Sequence, residues 1–363
     1  MRPLATAALS CLLLICLQHC PSSACTSFVL DTADGPFVAA NLDLSFGDGL
    51  VFVNRRGIAK EGYLQSTTGE TAKWVSEYGS VTFNLVGREF AWSGINEAGL
   101  VVASMELRAS TLPPPDERPP LGISTWVQYV LDTCGSVQEA VQVDAQVRVE
   151  DKEIPSHYLI ADKDGHSAAI EYLGGRYVYY TGEEMPVKAM ANATYAAGVA
   201  YIEQGIIPAM NPGASVERVA AAADKIRRFG TEPGASPVDY SLGVLTETVV
   251  APKTFWRDLF NEPYTRWNVV YDIARREVHF RTVDSPEVKR LSLRSFDFSC
   301  ETPMMMLDVN AELEGHVERS FVPYDHDVNL KAFRTFCDRW GIEVSEEGAV
   351  ELMRFFESFE CAR

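Results

Sequence analysis

The 363-residue chain lacks the short signatures of several common chemistries. It has no HExxH and no paired CxxC, and its histidines are scattered, so no metal site is expected. Asp325-His326-Asp327 is the one acid-His-acid triplet, and it reads as a solvated turn. There is no GxxxxGK[ST] and no glycine-rich loop joining a strand to a helix, which removes the usual phosphate cradles, and no cofactor is expected. Without a GxSxG elbow, a serine hydrolase of the α/β kind is unsupported. Cations are scarce: 32 Lys and Arg stand against 50 Asp and Glu, a formal charge of −18. Nucleic acid and anionic membrane surfaces reward clustered Lys and Arg, so neither is an expected partner. Long apolar runs are missing too, apart from LATAALSCLLLICL near the N-terminus, which is short for a membrane span.

That run follows a basic start, MRP, and precedes QHCPSSA. A basic n-region, an apolar core and small residues before a cut describe a secretory signal, with Ser22 and Ala24 at the small-residue positions. Residues 1–24 are therefore expected to be a cleaved signal peptide, and the product to be secreted or periplasmic. The mature chain then begins at Cys25. Of eight cysteines, Cys11, Cys16 and Cys20 leave with the signal, and Cys25, Cys134, Cys300, Cys337 and Cys361 remain. An odd count in an oxidising compartment flags a reactive thiol or an intermolecular bond. One nucleophile plus two disulfides satisfies the count. The pairing stays open, and Cys134 reads equally well as a buried thiol.

A free N-terminal cysteine carries a nucleophile and a base on one residue. A thiol with pKa about 8.5 sits beside an α-amino group of about 7.7–8.0, so the amine can take the thiol's proton near neutral pH. Such a group needs an acid to hold the amine and donors for the oxyanion formed on acyl attack. The competing readings of Cys25 are a disulfide half and a lipid anchor. Ser22-Ser23-Ala24 lacks the Leu wanted at the third position before a lipidated cysteine, and only lipidation would bring the mature chain to a membrane.

Along the chain, residues 27–30 and 36–42 are short β-prone runs hinged at Asp34-Gly35, a strong hairpin dipeptide. LVFVNRRG and residues 79–86 and 89–92 continue in the same manner, and Asn96-Glu97-Ala98-Gly99 turns into another apolar strand. TLPPPDERPP, residues 111–120, is an extended loop. Helical spacing appears at 124–133 and 136–143, with Ser136 as N-cap, and again at 195–204 and 216–229, the latter capped by Ser215. Hairpins return at 157–182 and in TRWNVVYDIARREVHFRTVD, and residues 330–359 are helical with a break at Gly341. The order β, α, β, α, β predicts an α+β fold: a four-layer αββα sandwich of two antiparallel sheets. The expected divisions are 25–310 as the main domain and 311–363 as a C-terminal helical extension.

Cys25-Thr26-Ser27-Phe28, Asp34-Gly35 and Asn41-Leu42-Asp43 resemble the opening of the choloylglycine hydrolase family, whose penicillin V acylases and bile salt hydrolases belong to the N-terminal-nucleophile hydrolases. GDGLVFVNRRG, YGSVTFNLVGREF, GINEAGLVV, VKAMANATY and TRWNVVYD resemble its later blocks, in order, to about residue 310. The resemblance implies the N-terminal-nucleophile hydrolase fold and cleavage of a linear, non-peptide amide C–N bond. It places Cys25 as the nucleophile and Asp43 as the aspartate that orients its amine and thiol. Asn192 falls where a side chain helps form the oxyanion hole, although Asn192-Ala193-Thr194 is also a glycosylation sequon. Glu106 falls where a backbone N–H completes the hole, and Arg218 where the family has a catalytic arginine, with Arg227 and Arg228 close in sequence. One departure concerns the substrate: members commonly carry Arg just before the Asn-x-Asp, and here that residue is Ala40. The long insert that bile salt hydrolases use to form tetramers is missing between Asn192 and Arg218, so no oligomer is assigned. Phe46, Trp92 and Tyr264 are candidates for an acyl pocket, with core packing the alternative. An acyltransferase, or a binding protein that has lost the chemistry, remain as other readings of the same scaffold.

Overall fold

The computed structural model describes residues 25–64, 70–150, 155–206, 214–231, 234–248, 254 and 263–363. The expected signal peptide lies outside the described residues. The chain opens on a hairpin of β1 (Thr26–Thr32) and β2 (Gly35–Leu44), in full register from Thr26 opposite Asn41 to Thr32 opposite Gly35. Gly35 closes the turn at φ 117°, and a Cβ there would meet Ala274 Cβ at 2.9 Å, so the position requires glycine.

β2 lies inside a seven-stranded sheet, in the order 189–190, β1, β2, 264–272, 277–282, 289–292, 315–316. Both faces of β2 are covered, which is why it reads as a nearly continuous apolar run rather than an alternation. Val29, Val38, Ala40 and Leu42 face inward, into the core shared with the second sheet. Phe28, Leu30, Phe37 and Ala39 face outward, against the helices Ser215–Arg228 and Pro237–Glu247. Each fully buried Leu, Val or Phe contributes roughly 1.5–3 kcal/mol, so this two-sided burial fixes the register of β1 and β2.

The second sheet has nine strands, in the order 176–181, 167–173, 156–161, 101–106, 91–96, 80–84, 50–54, 305–308, 322–323. The helix Trp126–Thr133 covers its outer face, with the Trp126 ring stacked on Tyr158 at 3.9 Å. Asn96 Nδ2 donates to the carbonyls of Leu131 and Cys134 at 2.9 and 2.7 Å, satisfying the carbonyls that a helix end leaves open. The layers are helix, sheet, sheet, helix, the α+β sandwich that the sequence predicts.

Several local expectations shift. The helix at 136–143 shortens to Val137–Ala140 followed by a 3₁₀ turn, with Ser136 and Glu139 forming a reciprocal cap. The N-cap expected at Ser215 is Ala214, whose N–H is met by the Glu217 carboxylate at 3.0 Å. Asp325-His326-Asp327 is a helix start rather than a solvated turn: Asp325 caps His326–Trp340 by accepting from Val328 N–H at 3.0 Å. The expected break at Gly341 is present, a left-handed C-cap at φ 65°.

Residues beyond 310 share the sandwich core. The strands Gly315–His316 and Val322–Pro323 join the edges of the two sheets. Leu330, Phe333, Phe336, Leu352 and Phe356 of the two last helices pack into the inter-sheet cluster. Glu360–Cys361 pairs with Ile58–Glu61, and Cys361 is disulfide-bonded to Cys300. Among the described residues no second disulfide joins Cys25, Cys134 and Cys337, although the cysteine count favours one. Cys134 lies in the core between the second sheet and its helix, whereas Cys25 and Cys337 lie between the sheets, and all three are buried thiols.

Candidate active site

Cys25 immediately precedes β1 and is 1% exposed. Thr26 pairs with Asn41, so the ladder sets Cys25 beside the Leu42-Asp43 end of β2. Side chains alternate across a strand: Cys25 shares the inter-sheet face with Ala40 and Leu42, while Thr26, Asn41 and Asp43 belong to the opposite face. An arginine in place of Ala40 would therefore lie on the face that carries the thiol. Ala40 is fully buried there, and Arg218 reaches Cys25 electrostatically from the other side of the sheet.

Asp43 is fully buried, and Thr265 Oγ1 donates to its Oδ1 at 2.5 Å. Its Oδ2 has no hydrogen-bond partner among the described residues. Burial raises its pKa to about 7, against the opposing pull of the Thr265 bond and of Arg218. A carboxyl so placed is held where an added cation would ionise it.

Arg218 projects from the helix Ser215–Arg228 and is 2% exposed. Its Nε donates to Thr26 Oγ1 at 3.2 Å, and its Nη2 donates to Asn192 Oδ1 at 2.9 Å. Burial lowers its pKa, while Asp43 and Cys25 act to raise it. Asn192 Nδ2 in turn donates to the Glu106 carbonyl at 2.9 Å, which commits the amide nitrogen a sequon would need. Glu106 ends its strand opposite Ser156, and the next residue, Leu107, donates to the Pro155 carbonyl. Hydrogen bonding alternates along an antiparallel pair, so the N–H and C=O of Glu106 both point away from that neighbour, to the side where Asn192 sits. The Glu106 carboxylate pairs with Arg108 at 3.0 Å. Of the five residues expected at the site, Arg218, Asn192 and Glu106 are joined by hydrogen bonds, and Cys25 and Asp43 lie within electrostatic reach of Arg218. Arg227 and Arg228 instead pair with Asp224 on the exposed side of the helix.

Cys25 and Glu106 line a cavity of about 620 Å³. Its wall is largely apolar, and Trp92 is part of it. The other two aromatic candidates are core residues: Phe46 packs edge-on against Phe336 at 5.9 Å, and fully buried Tyr264 lies under the Arg266 guanidinium at 3.6 Å.

Three features were not expected from the sequence. Thr265 and Thr26 supply the hydroxyls that hold Asp43 and Arg218, and single threonines in strands carry no local signal of such a role. Buried Glu171 accepts from Tyr195 N–H at 2.8 Å and from His157 Nδ1 at 3.0 Å, anchoring the helix that begins three residues after Asn192. The third is the C-terminal segment: Phe333, Phe336, Cys337, Trp340 and Leu352 form a large share of the cavity wall.

Residues 25–205 match the linear amide C-N hydrolases, choloylglycine hydrolase family. A penicillin V acylase of Pectobacterium atrosepticum is 25% identical over 339 residues, an alignment covering 79% of this chain and 86% of the relative. The structure of a penicillin V acylase from Agrobacterium tumefaciens superposes with a TM-score of 0.69 at 25% identity, covering 83% of this chain and 98% of the other. A conjugated bile acid hydrolase variant from Clostridium perfringens, 12% identical, shares the fold with a TM-score of 0.64 over 80% of this chain and 98% of its own. With the sandwich and the constellation around Cys25 in hand, the chain belongs to the linear amide C-N hydrolases of the choloylglycine hydrolase family.

Proposed function

We propose that this member is an exported N-terminal cysteine hydrolase that cleaves an acyl amide through a thioester. Removal of residues 1–24 exposes the Cys25 α-amino group, which takes the thiol proton. The sulfur attacks the amide carbonyl, and the tetrahedral oxyanion is met by Asn192 Nδ2–H and the Glu106 backbone N–H. The C–N bond breaks as the amine leaves with the proton, giving a thioester on Cys25. Water then adds to the thioester carbonyl, the acid departs, and the thiol is restored. Asp43 holds the ammonium. Arg218 fixes Asn192 and supplies the positive field that the missing arginine at position 40 would otherwise add.

The observation that carries this reading is the chain of contacts from Thr26 through Arg218 to Asn192 and the Glu106 carbonyl, ending at a cavity whose wall includes Cys25. The Cys300–Cys361 disulfide supports an oxidising compartment, and hence export. Intact mass and N-terminal sequencing of the exported protein test it. The expected product begins with unmodified Cys25 and releases an acid and an amine from acyl amides, an activity that vanishes in Cys25→Ala. A mature chain that retains residues 1–24, or a lipid on Cys25, refutes it.

A further inference from the structure

We infer that residues 311–363 set the substrate of this site, selecting N-acyl amides with a long apolar acyl chain and a leaving amine that bears no negative charge. The inference rests on the reading of the cavity as the acyl-amide site. The cavity wall is assembled from several segments far apart in sequence, and the last two helices supply one side of it. Leu42, Leu44 and Met105 come from the strands that surround Cys25, and Phe333, Phe336 and Trp340 come from the helix His326–Trp340. At about 620 Å³ the space has the size of a small-molecule site, commonly ~300–1,000 Å³, and its surface is suited to hydrocarbon.

The C-terminal side of that wall is held in place from three directions. Phe336 stacks on Trp340 at 5.7 Å, and its edge meets Phe46. Glu357, near the end of the second helix, accepts from Tyr324 Oη at 2.6 Å and contacts His326 Nδ1 at 2.7 Å at the start of the first. Past Glu357 the chain is fastened by the 360–361 strand and by the disulfide to Cys300. A wall of ordered aromatic rings is preorganised, and binding a flexible chain then costs order in the ligand alone.

The charged side chains that line the cavity among the described residues are two carboxylates, Glu106 and Glu343. Arg108, the ion-pair partner of Glu106, is 62% exposed and screened by water, so it offsets that charge only in part. Glu343 is itself exposed, on the connection between the two helices. An anionic leaving amine would enter against both, whereas a neutral or cationic one would not. The rank order that follows is cationic, then neutral, then anionic.

The test uses mature protein and matched amides of one fatty acid with putrescine, ethanolamine and glycine, and a butanoyl-to-hexadecanoyl series for the best amine. Affinity of the same amides for Cys25→Ala is measured in parallel by calorimetry. Each added methylene is expected to raise kcat/KM, and affinity, about fourfold until the cavity fills. Putrescine amides are expected to exceed glycine amides by about tenfold, a gap that Glu343→Gln narrows about twofold, since that carboxylate is itself exposed and screened. Trp340→Ala, at a partly exposed position, is expected to flatten the chain-length trend without abolishing turnover of short amides. A response flat in chain length, a preference for glycine amides, or trends unmoved in both variants overturns the inference. Hydrolysis retained by Cys25→Ala would instead sink the thioester reading, and the affinity trends would still decide this one.

Discussion

Arg218 Nη2 donates to Asn192 Oδ1 at 2.9 Å, and this bond fixes which end of the Asn192 amide faces the Glu106 carbonyl. An amide can flip in isolation, but a guanidinium can bond only the oxygen and a carbonyl only the nitrogen. With Oδ1 held, one Nδ2 hydrogen goes to Glu106 and the other is available to an oxyanion. Arg218 Nε binds Thr26 Oγ1, so the same side chain ties this orientation to the residue after the thiol.

Asn192→Ala is therefore expected to lower kcat by ~10²–10³, the range for loss of one oxyanion donor. Arg218→Lys keeps the charge but cannot reach Thr26 and Asn192 in two directions at once. It is expected to cost up to about 10²-fold in kcat through a misplaced amide, with a smaller change in KM. Steady-state kinetics on one acyl amide decide both. An Arg218→Lys enzyme with native kcat would leave Arg218 only a structural role.

Asp43 gives a pH test that reports on processing. Its pKa in the folded chain is raised to about 7 by burial, against an ordinary value of 3.8. The folded state then binds the proton more tightly than the unfolded state does. Its contribution to stability is full below about pH 4 and lost as pH rises through 7. In protein carrying extra residues before Cys25, stability is expected to fall over that window, and Asp43→Asn to remove the fall. In mature protein an ammonium on Cys25 offsets the burial, and the same window is expected to be nearly flat. Urea titrations at several pH values measure all three.

How far the sequence carried the site depends on which residues are meant. The two-sheet sandwich followed from hairpins alternating with helix pairs, because strand and helix periodicities are local. Cys25 was marked by its position after a signal-like run. Asp43, Asn192, Glu106 and Arg218 are identified by resemblance, since the bonds that join the last three span 86 residues between Glu106 and Asn192 and 26 between Asn192 and Arg218. Thr265 lies 222 residues from its partner Asp43, and nothing near it in sequence announces the bond. Residues 330–359 read as helical with a break at Gly341, but not as a wall of the cavity. A helix's apolar stripe says that it is covered and leaves open by what.

The Glu171 carboxylate joins two buried donors, Tyr195 N–H and His157 Nδ1, beside the loop that carries Asn192. Glu171→Ala strands both donors and is expected to cost about 1–3 kcal/mol in denaturant unfolding. It is also expected to lower kcat more than it raises KM, because the Asn192 loop loses its anchor. Glu171→Gln retains an acceptor for Tyr195 and should recover most of kcat. Equal kcat in the two variants would mean that Glu171 serves folding alone.

The Cys300–Cys361 disulfide closes a loop with a sequence separation of 61, and chain-entropy arguments assign such a closure about 4 kcal/mol. Reductant alone is a poor probe, since it also acts on the state of the Cys25 thiol. The Cys300→Ser/Cys361→Ser double variant leaves that thiol alone. It is expected to unfold at lower denaturant with a larger m-value, because the denatured chain, freed of the crosslink, exposes more surface. The strand Glu360–Cys361 follows directly on the helix Glu346–Glu357, which places Leu352 in the cavity wall. Loosening that end should raise KM for long acyl chains while kcat at saturation holds, because Cys25, Asn192 and Arg218 are anchored elsewhere in the sandwich. A fall in kcat with KM unchanged would show that the C-terminal strap instead positions the reacting groups.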